Sequence, residues 1–212
     1  MIQLLLPERI TPCDGGARTK GAILREIPPI NDPWKPLASA LLDGIIAAPM
    51  NQRPIIISVI GGSNAAQKDL DVAYEVGLEL AKRGAIVLCG GLTGVMEAVC
   101  RGAKEAGGTT IGIMPGNTAG DANQYVDIAI PTGLGYARNA IVARAGGAII
   151  AIDGAYGTLS EIGHGLGDGT PIVGLNTWQF TMDGKVDTTI DNAESPLEAV
   201  EKALEYAKAR QD

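Results

Sequence analysis

Ala148-Ile149-Ile150-Ala151-Ile152 runs directly into Asp153-Gly154-Ala155-Tyr156-Gly157-Thr158-Leu159-Ser160-Glu161. The first five residues are apolar without alternation, the pattern of a strand covered on both faces. The next nine open on a glycine-rich turn and then carry residues able to start a helix. Such a turn gathers backbone N–H groups at the positive end of a helix dipole, and that point attracts an anion.

The same punctuation recurs upstream. Ile55 to Ile60 reads as a strand ending in Gly61-Gly62-Ser63, and Asp69 to Arg83 as an amphipathic helix with Val72, Val76 and Leu80 on one face. Ala85 to Cys89 is a second strand ending in Gly90-Gly91-Leu92-Thr93-Gly94, followed by a helix from Val95 to Ala106. Thr109 to Met114 is a third strand, ending in Pro115-Gly116, and Tyr125 to Ile130 a fourth. A helix over Asn139 to Ala145, strands over Gly147 to Ile152 and Pro171 to Leu175, and a helix from Pro196 to Arg210 complete the pattern. Continuously apolar strands alternating with helices predict a Rossmann-like α/β fold, a doubly wound parallel sheet with helices on both faces. Ligands of such sheets bind beyond the carboxyl ends of the strands. Gly61, Gly62, Ser63, Gly90, Gly91, Thr93, Gly94, Pro115, Gly154, Tyr156, Gly157 and Thr158 all fall there and are expected to line one anion-binding crevice.

Residues 1–53 differ, holding seven of the 12 prolines, and are expected to be an N-terminal extension packed on a main domain of residues 54–212. Aromatics make up only 4% of the 212 residues, so the core is expected to rest on Ile, Val, Leu and Ala. A net charge of −7 argues against nucleic acid as a partner. No apolar run approaches the ~20 residues of a membrane span, and Met1 to Pro7 lacks the features of a signal peptide. Three cysteines, Cys13, Cys89 and Cys100, show no metal-ligand spacing and suit a reducing cytoplasm; no metal site is expected. No Gly-x-Gly-x-x-Gly follows the first strand and no Gly-x-x-x-x-Gly-Lys-[Ser/Thr] occurs, which disfavours a dinucleotide oxidoreductase and a P-loop nucleotidase.

Thr158-Leu159-Ser160-Glu161 fits a helix capping box, in which Glu161 reaches back to the Thr158 N–H; a ligand-facing carboxylate is the other reading. Arg138 stands near a helix start, where a cation is unfavourable and needs a partner: a surface carboxylate or a ligand. Arg144 is expected to make structural or subunit contacts, and His164 to be a packed or exposed residue without a metal. Cys89 and Cys100 read as small core residues.

Gly90 to Ala98, Gly135-Tyr136-Ala137-Arg138-Asn139 and Gly154 to Glu161 together resemble the Lonely Guy superfamily over about residues 55–176. Gly-Tyr-Ala-Arg-Asn and Tyr-Gly-Thr-Leu-Ser-Glu look closest to its molybdenum-cofactor-carrier-like branch. Lonely Guy enzymes hydrolyse the N-glycosidic bond of nucleoside 5′-monophosphates through a Pro-Gly-Gly-x-Gly-Thr-x-x-Glu motif and an upstream Arg-Lys pair. The resemblance assigns the Glu to Glu161 and the Arg to Arg138, catalytic only in a hydrolase. It adds Arg138 and Asn139 to the ligand-binding set. Asp153, Ala155 and Asn139 depart from Pro, Gly and Lys of the motif. Carrier-like proteins hold molybdopterin in a similar crevice. Two functions follow: binding of a phosphorylated nucleotide-like or pterin-type molecule, with the molybdenum cofactor as ligand and no cofactor required, or phosphoribohydrolysis. The apolar run Ile141-Val142-Ala143 and the resemblance together lead to a homodimer or homotetramer as the expected assembly.

Overall fold

A computed structural model of the protein describes residues 53–210. The expected N-terminal extension, Arg53 apart, lies outside the described residues. Seven strands form one sheet: β1 (Ile56–Gly61), β2 (Ile86–Cys89), β3 (Thr110–Met114), β4 (Ile128–Pro131), β5 (Ala148–Ile152), β6 (Ile172–Leu175) and β9 (Ile190–Asn192). Their order is β4-β3-β2-β1-β5-β6-β9 and every pairing is parallel. Helices α1 (Gln67–Lys82), α2 (Val95–Glu105), α3 (Asn139–Ala145), α4 (Tyr156–Gly167) and α5 (Pro196–Ala209) connect and close them. This is the doubly wound α/β fold that the alternation predicts. The order reverses between β1 and β5, so the crevice expected of such a sheet opens at their carboxyl ends.

The strand side chains sort strictly by parity. Ile57, Val59, Val87, Cys89, Ile150, Ile152, Val173 and Leu175 pack with α1, α2 and α5. Ile60, Leu88, Ile149, Ala151 and Ile172 pack with Val142 and Ala143 of α3 and Ile162 of α4. Both sets are buried, which is why the strands read as unbroken apolar runs. Ser58 and Thr110 are buried polar exceptions, and their hydroxyls donate to the Val142 and Tyr125 carbonyls, both at 2.6 Å. α5 begins with a full cap: Ser195 Oγ accepts from the Glu198 N–H at 3.2 Å, Glu198 reaches back to the Glu194 N–H, and Pro196 takes the first turn.

Three differences from the sequence reading have physical causes. β4 starts at Ile128 rather than Tyr125, because Asn123 Oδ1 accepts from the Tyr125 N–H and turns the chain before pairing begins. β4 is also not covered on both faces; as the sheet edge it leaves Ile128 48% and Ile130 43% exposed. An antiparallel hairpin, β7 (Thr181–Met182) and β8 (Lys185–Val186), and the short β9 lay outside the predicted elements. Asp183-Gly184 between β7 and β8, both at positive φ (51° and 75°), is the Asp-Gly hairpin signal that the sequence carried.

α1 and α2 pack with backbones in near contact at two reciprocal glycines. A Cβ on Gly77 would lie 2.0 Å from the Val99 carbonyl oxygen, and one on Gly102 would lie 2.0 Å from that of Tyr74. Gly77→Ala must push the helices apart and is expected to destabilise by at least the ~1–3 kcal/mol of ordinary overpacking. Gly163→Ala, on α4 with nothing within 4 Å of the added methyl, is expected to gain up to ~1 kcal/mol from helix propensity. Urea unfolding of the two variants checks this, and a neutral Gly77→Ala would contradict the close packing.

Candidate functional site

The loops leaving β1, β2 and β3 are tied edge to edge. The Val95 N–H donates to the Gly62 carbonyl at 3.0 Å, and the Thr93 hydroxyl donates to the Ser63 carbonyl at 3.2 Å. Asn123 binds the Leu92 carbonyl through Nδ2 at 2.8 Å and the Gly91 carbonyl through its backbone N–H at 2.9 Å. The Gly133 and Gly135 N–H groups donate to the Gly116 and Pro115 carbonyls at 2.9 and 3.0 Å. Pro115 therefore anchors the turn that leads to Arg138. The Gly91 N–H points back to the Cys89 sulfur at 3.3 Å, so Gly91 shapes the loop rather than offering a donor to the crevice.

Gly135–Arg138 forms a 3-10 turn that delivers Arg138 to α3. The Arg138 side chain is buried, and its Nη1 donates to Glu161 Oε1 at 2.9 Å. The partner is thus a buried carboxylate one helix away, not a surface one. Gly90 makes room for the guanidinium: a Cβ there would stand 2.6 Å from Nη2. Arg138 Nε has no partner among the described residues, and neither does the buried hydroxyl of Thr158. Buried polar groups without a partner are unusual in a native protein, and both of these lie on residues tied to Glu161, Arg138 by its hydrogen bond and Thr158 by the shared helix.

The capping box does not form. α4 starts at Tyr156 with Ala155 as its N-cap and no capping side chain, so Thr158 already lies inside the helix and Glu161 turns to Arg138. α1 and α2 likewise open without a capping side chain, behind Ala66 and Gly94. Asn139 is buried and directs Nδ2 to the Gly157 carbonyl and to Ser160 Oγ, both at 3.4 Å. It positions the turn from behind. Tyr156 is 83% exposed on the rim. Cys89 is buried with its sulfur 3.5 Å from that of Cys100, both thiols free, and does not face the crevice. Arg144 pairs with Asp168 and His164 is exposed.

Three rim residues were not in the predicted set. Asn176 and Trp178 follow β6, and Asp153 follows β5; all three line an open groove of about 400 Å³. The signal for Asn176 and Trp178 was available, since a residue directly after a parallel strand falls on the ligand edge.

Burial pushes the Glu161 carboxyl up to about 7, against the pull of the Arg138 charge and hydrogen bond toward ionisation. The folded protein therefore holds this proton up to about pH 7, whereas an unfolded carboxyl releases it near 4.5. Between those values the folded state binds more protons, so the stability contributed by Glu161 is lost as pH rises. In Glu161→Gln the side chain is neutral throughout. The melting temperature of wild type minus that of Glu161→Gln is expected to fall from about pH 5 to pH 7 and to level off above that, and a flat difference across this range would contradict the shifted carboxyl.

Residues 54–205 match the model of the SLOG cluster4 family. The structure is similar to the molybdenum cofactor binding protein of Rippkaea orientalis, at 34% identity, TM-score 0.65, over 76% of this chain and 99% of that one. It is also similar to the molybdenum cofactor carrier protein of Chlamydomonas reinhardtii, at 33% identity, TM-score 0.63, over 74% and 99%. A cytokinin riboside 5′-monophosphate phosphoribohydrolase of Arabidopsis thaliana is 32% identical over 118 residues, 50% of this chain and 52% of the enzyme. This chain thus spans about half the length of that enzyme. By the family match and by these likenesses, the chain belongs to the SLOG cluster4 family, in the molybdenum-cofactor-carrier-like branch of the Lonely Guy-like superfamily.

Proposed function

We propose that the protein binds a phosphorylated, pterin-type or nucleotide-like small molecule at the carboxyl edge of the sheet and carries it without altering it. The observation that carries this reading is the pairing of uncapped helix N-termini, those of α2 and α4, with the unpartnered Thr158 hydroxyl and Arg138 Nε. Free N–H groups at a helix start are a natural seat for a phosphate. Gly157 adjoins that seat with open space around it, and Asn139 holds its carbonyl from behind. The carrier and binding proteins similar to this chain take the molybdenum cofactor as cargo, and the same cargo is proposed here. The two buried free thiols suit a reducing cytoplasm.

Hydrolysis of a nucleoside 5′-monophosphate is the second reading. A carboxyl with pKa about 7 suits a general acid that protonates a leaving base. Against it, Glu161 is 6% exposed and engaged by Arg138, so it offers little free negative charge to a sugar cation. Free adenine released from AMP decides between the two. The expectation is no release by wild type, with phosphate binding lost in Gly157→Val while the fold persists. Brisk release that falls on the order of 100-fold in Glu161→Gln would establish the hydrolase instead.

A second copy of the chain is the proposed cover for the β4 edge. Of the run Ile141-Val142-Ala143, Val142 and Ala143 are wholly buried in the protein's own core, and Ile141 alone faces outward at 38% exposure. The outward apolar surface comes instead from Ile128, Ile130, Leu134, Tyr136 and Ile141. An apolar edge strand without a neighbour among the described residues invites pairing. Light scattering is expected to give a dimer or tetramer for wild type and a smaller species for Ile130→Arg; a wild-type monomer at micromolar concentration would overturn the assembly.

A further inference from the structure

The Asp153 carboxylate has no hydrogen-bond or ion-pair partner among the described residues, although the residue is half-buried. It reaches across the switch point: one oxygen lies 2.8 Å from where a Gly62 Cβ would stand. Its backbone sits at φ 57°, a conformation that Asp tolerates better than most residues but that still costs free energy. Asn176, facing the same groove, sits at φ 51°. The groove of about 400 Å³ is lined by Asp153, Gly154, Asn176, Thr177, Trp178 and Gln179. Trp178 stands against Gly154, its indole Nε1 2.5 Å from the site of a Cβ there, and the buried Nε1 has no acceptor among the described residues. The Tyr156 ring lies 6.1 Å from the Trp178 ring, tilted by 35°. The Thr177 hydroxyl fixes the loop by donating to the Asp153 carbonyl at 2.7 Å. A carboxylate without a partner among the described residues, the Trp178 indole and two residues at positive φ thus share one groove, with the Tyr156 ring beside the indole at its rim.

We propose that this groove seats a planar heterocycle with a ring N–H beside an exocyclic amino group, the 2-amino-4-oxo edge that guanine and pterins share. Asp153 accepts from both donors with its two oxygens, and Tyr156 and Trp178 supply the aromatic wall. The proposal rests on the bound-phosphate reading for its place beside the Gly157 turn and goes beyond it by naming the ring. A carboxylate matches two adjacent donors in parallel, the geometry that makes such pairs strong. Adenine presents an amino group beside a lone pair on N1, so the second oxygen would meet an acceptor. The groove therefore selects against adenine, the base that a cytokinin-type substrate carries.

The test uses the full-length protein, titrated calorimetrically with guanosine, pterin, adenosine and, separately, inorganic phosphate. Guanosine or pterin is expected to bind at least about tenfold more tightly than adenosine, the scale of one hydrogen bond to a charged group. Asp153→Asn retains the tolerated backbone conformation and is expected to abolish that preference while leaving phosphate affinity unchanged. Should that variant fail to fold, Trp178→Phe serves in its place and is expected to weaken guanosine and pterin but not phosphate. The tighter of guanosine and pterin identifies the source of the ring, purine or pteridine, and either order supports the proposal. Equal binding of guanosine and adenosine, or a guanosine preference that survives Asp153→Asn, overturns it. Phosphate binding that is absent while the guanosine preference persists overturns the anion reading and not the groove.

Discussion

The buried pair between Arg138 and Glu161 organises the centre of the molecule. It joins the 3-10 turn after β4 to the middle of α4, two pieces of chain that approach the rim from opposite sides of β1 and β5. A guanidinium and a carboxyl withdrawn from water repay their desolvation only with good geometry and further hydrogen bonds. Here one oxygen is well met at 2.9 Å, while Arg138 Nε is left without a partner. Removing either partner alone would strand the other, a loss of about 3–5 kcal/mol in comparable buried pairs. The pair accounts for its neighbours: Gly90 is a glycine because the guanidinium occupies the space of its side chain, and Glu161 keeps its proton to an unusual pH because burial outweighs the attraction.

The three departures from the hydrolase motif each have a local structural consequence. Asn139, in place of a lysine, has exchanged a long cation for a short amide that stays buried and holds the Gly157 carbonyl. Ala155, in place of a glycine, takes an extended N-cap conformation that any residue can adopt. Asp153, in place of a proline, puts a carboxylate without a partner among the described residues at the switch point, in the left-handed region that the fixed φ of proline forbids. The turn has thus lost a positive charge and gained a negative one without losing its shape.

Much of the fold was legible because the apolar runs and glycine stops are strong local signals. Ile149 to Ile152 could only be a covered strand, and Gly84 and Gly107 end their helices at positive φ. Local signal failed where a long-range contact decides. Thr158 and Glu161 look like a capping box until Arg138, 23 residues upstream of Glu161, is brought against the carboxyl. The cap that does form lies at Ser195, whose hydroxyl meets the Glu198 N–H while Glu198 accepts from the Glu194 N–H, and no buried cation competes there. Trp178 stands on the ligand edge just after β6, but that its ring lies beside the Tyr156 ring comes only from the fold.

The starts of α2 and α4, which lack a capping side chain, bear on the life of the protein. Their first-turn N–H groups receive no cap from a side chain, although the Val95 N–H of α2 is met by the Gly62 carbonyl, while α5 is capped by Ser195. An anion held there would act as the missing cap for both helices at once. Folding and loading are then linked equilibria: at a hundredfold excess over its dissociation constant a ligand adds ~2.7 kcal/mol to the stability of the fold. A cell's proteases sample the opened state, so the empty form would be cleared faster than the loaded one. The abundance of the protein would then follow the supply of that anion.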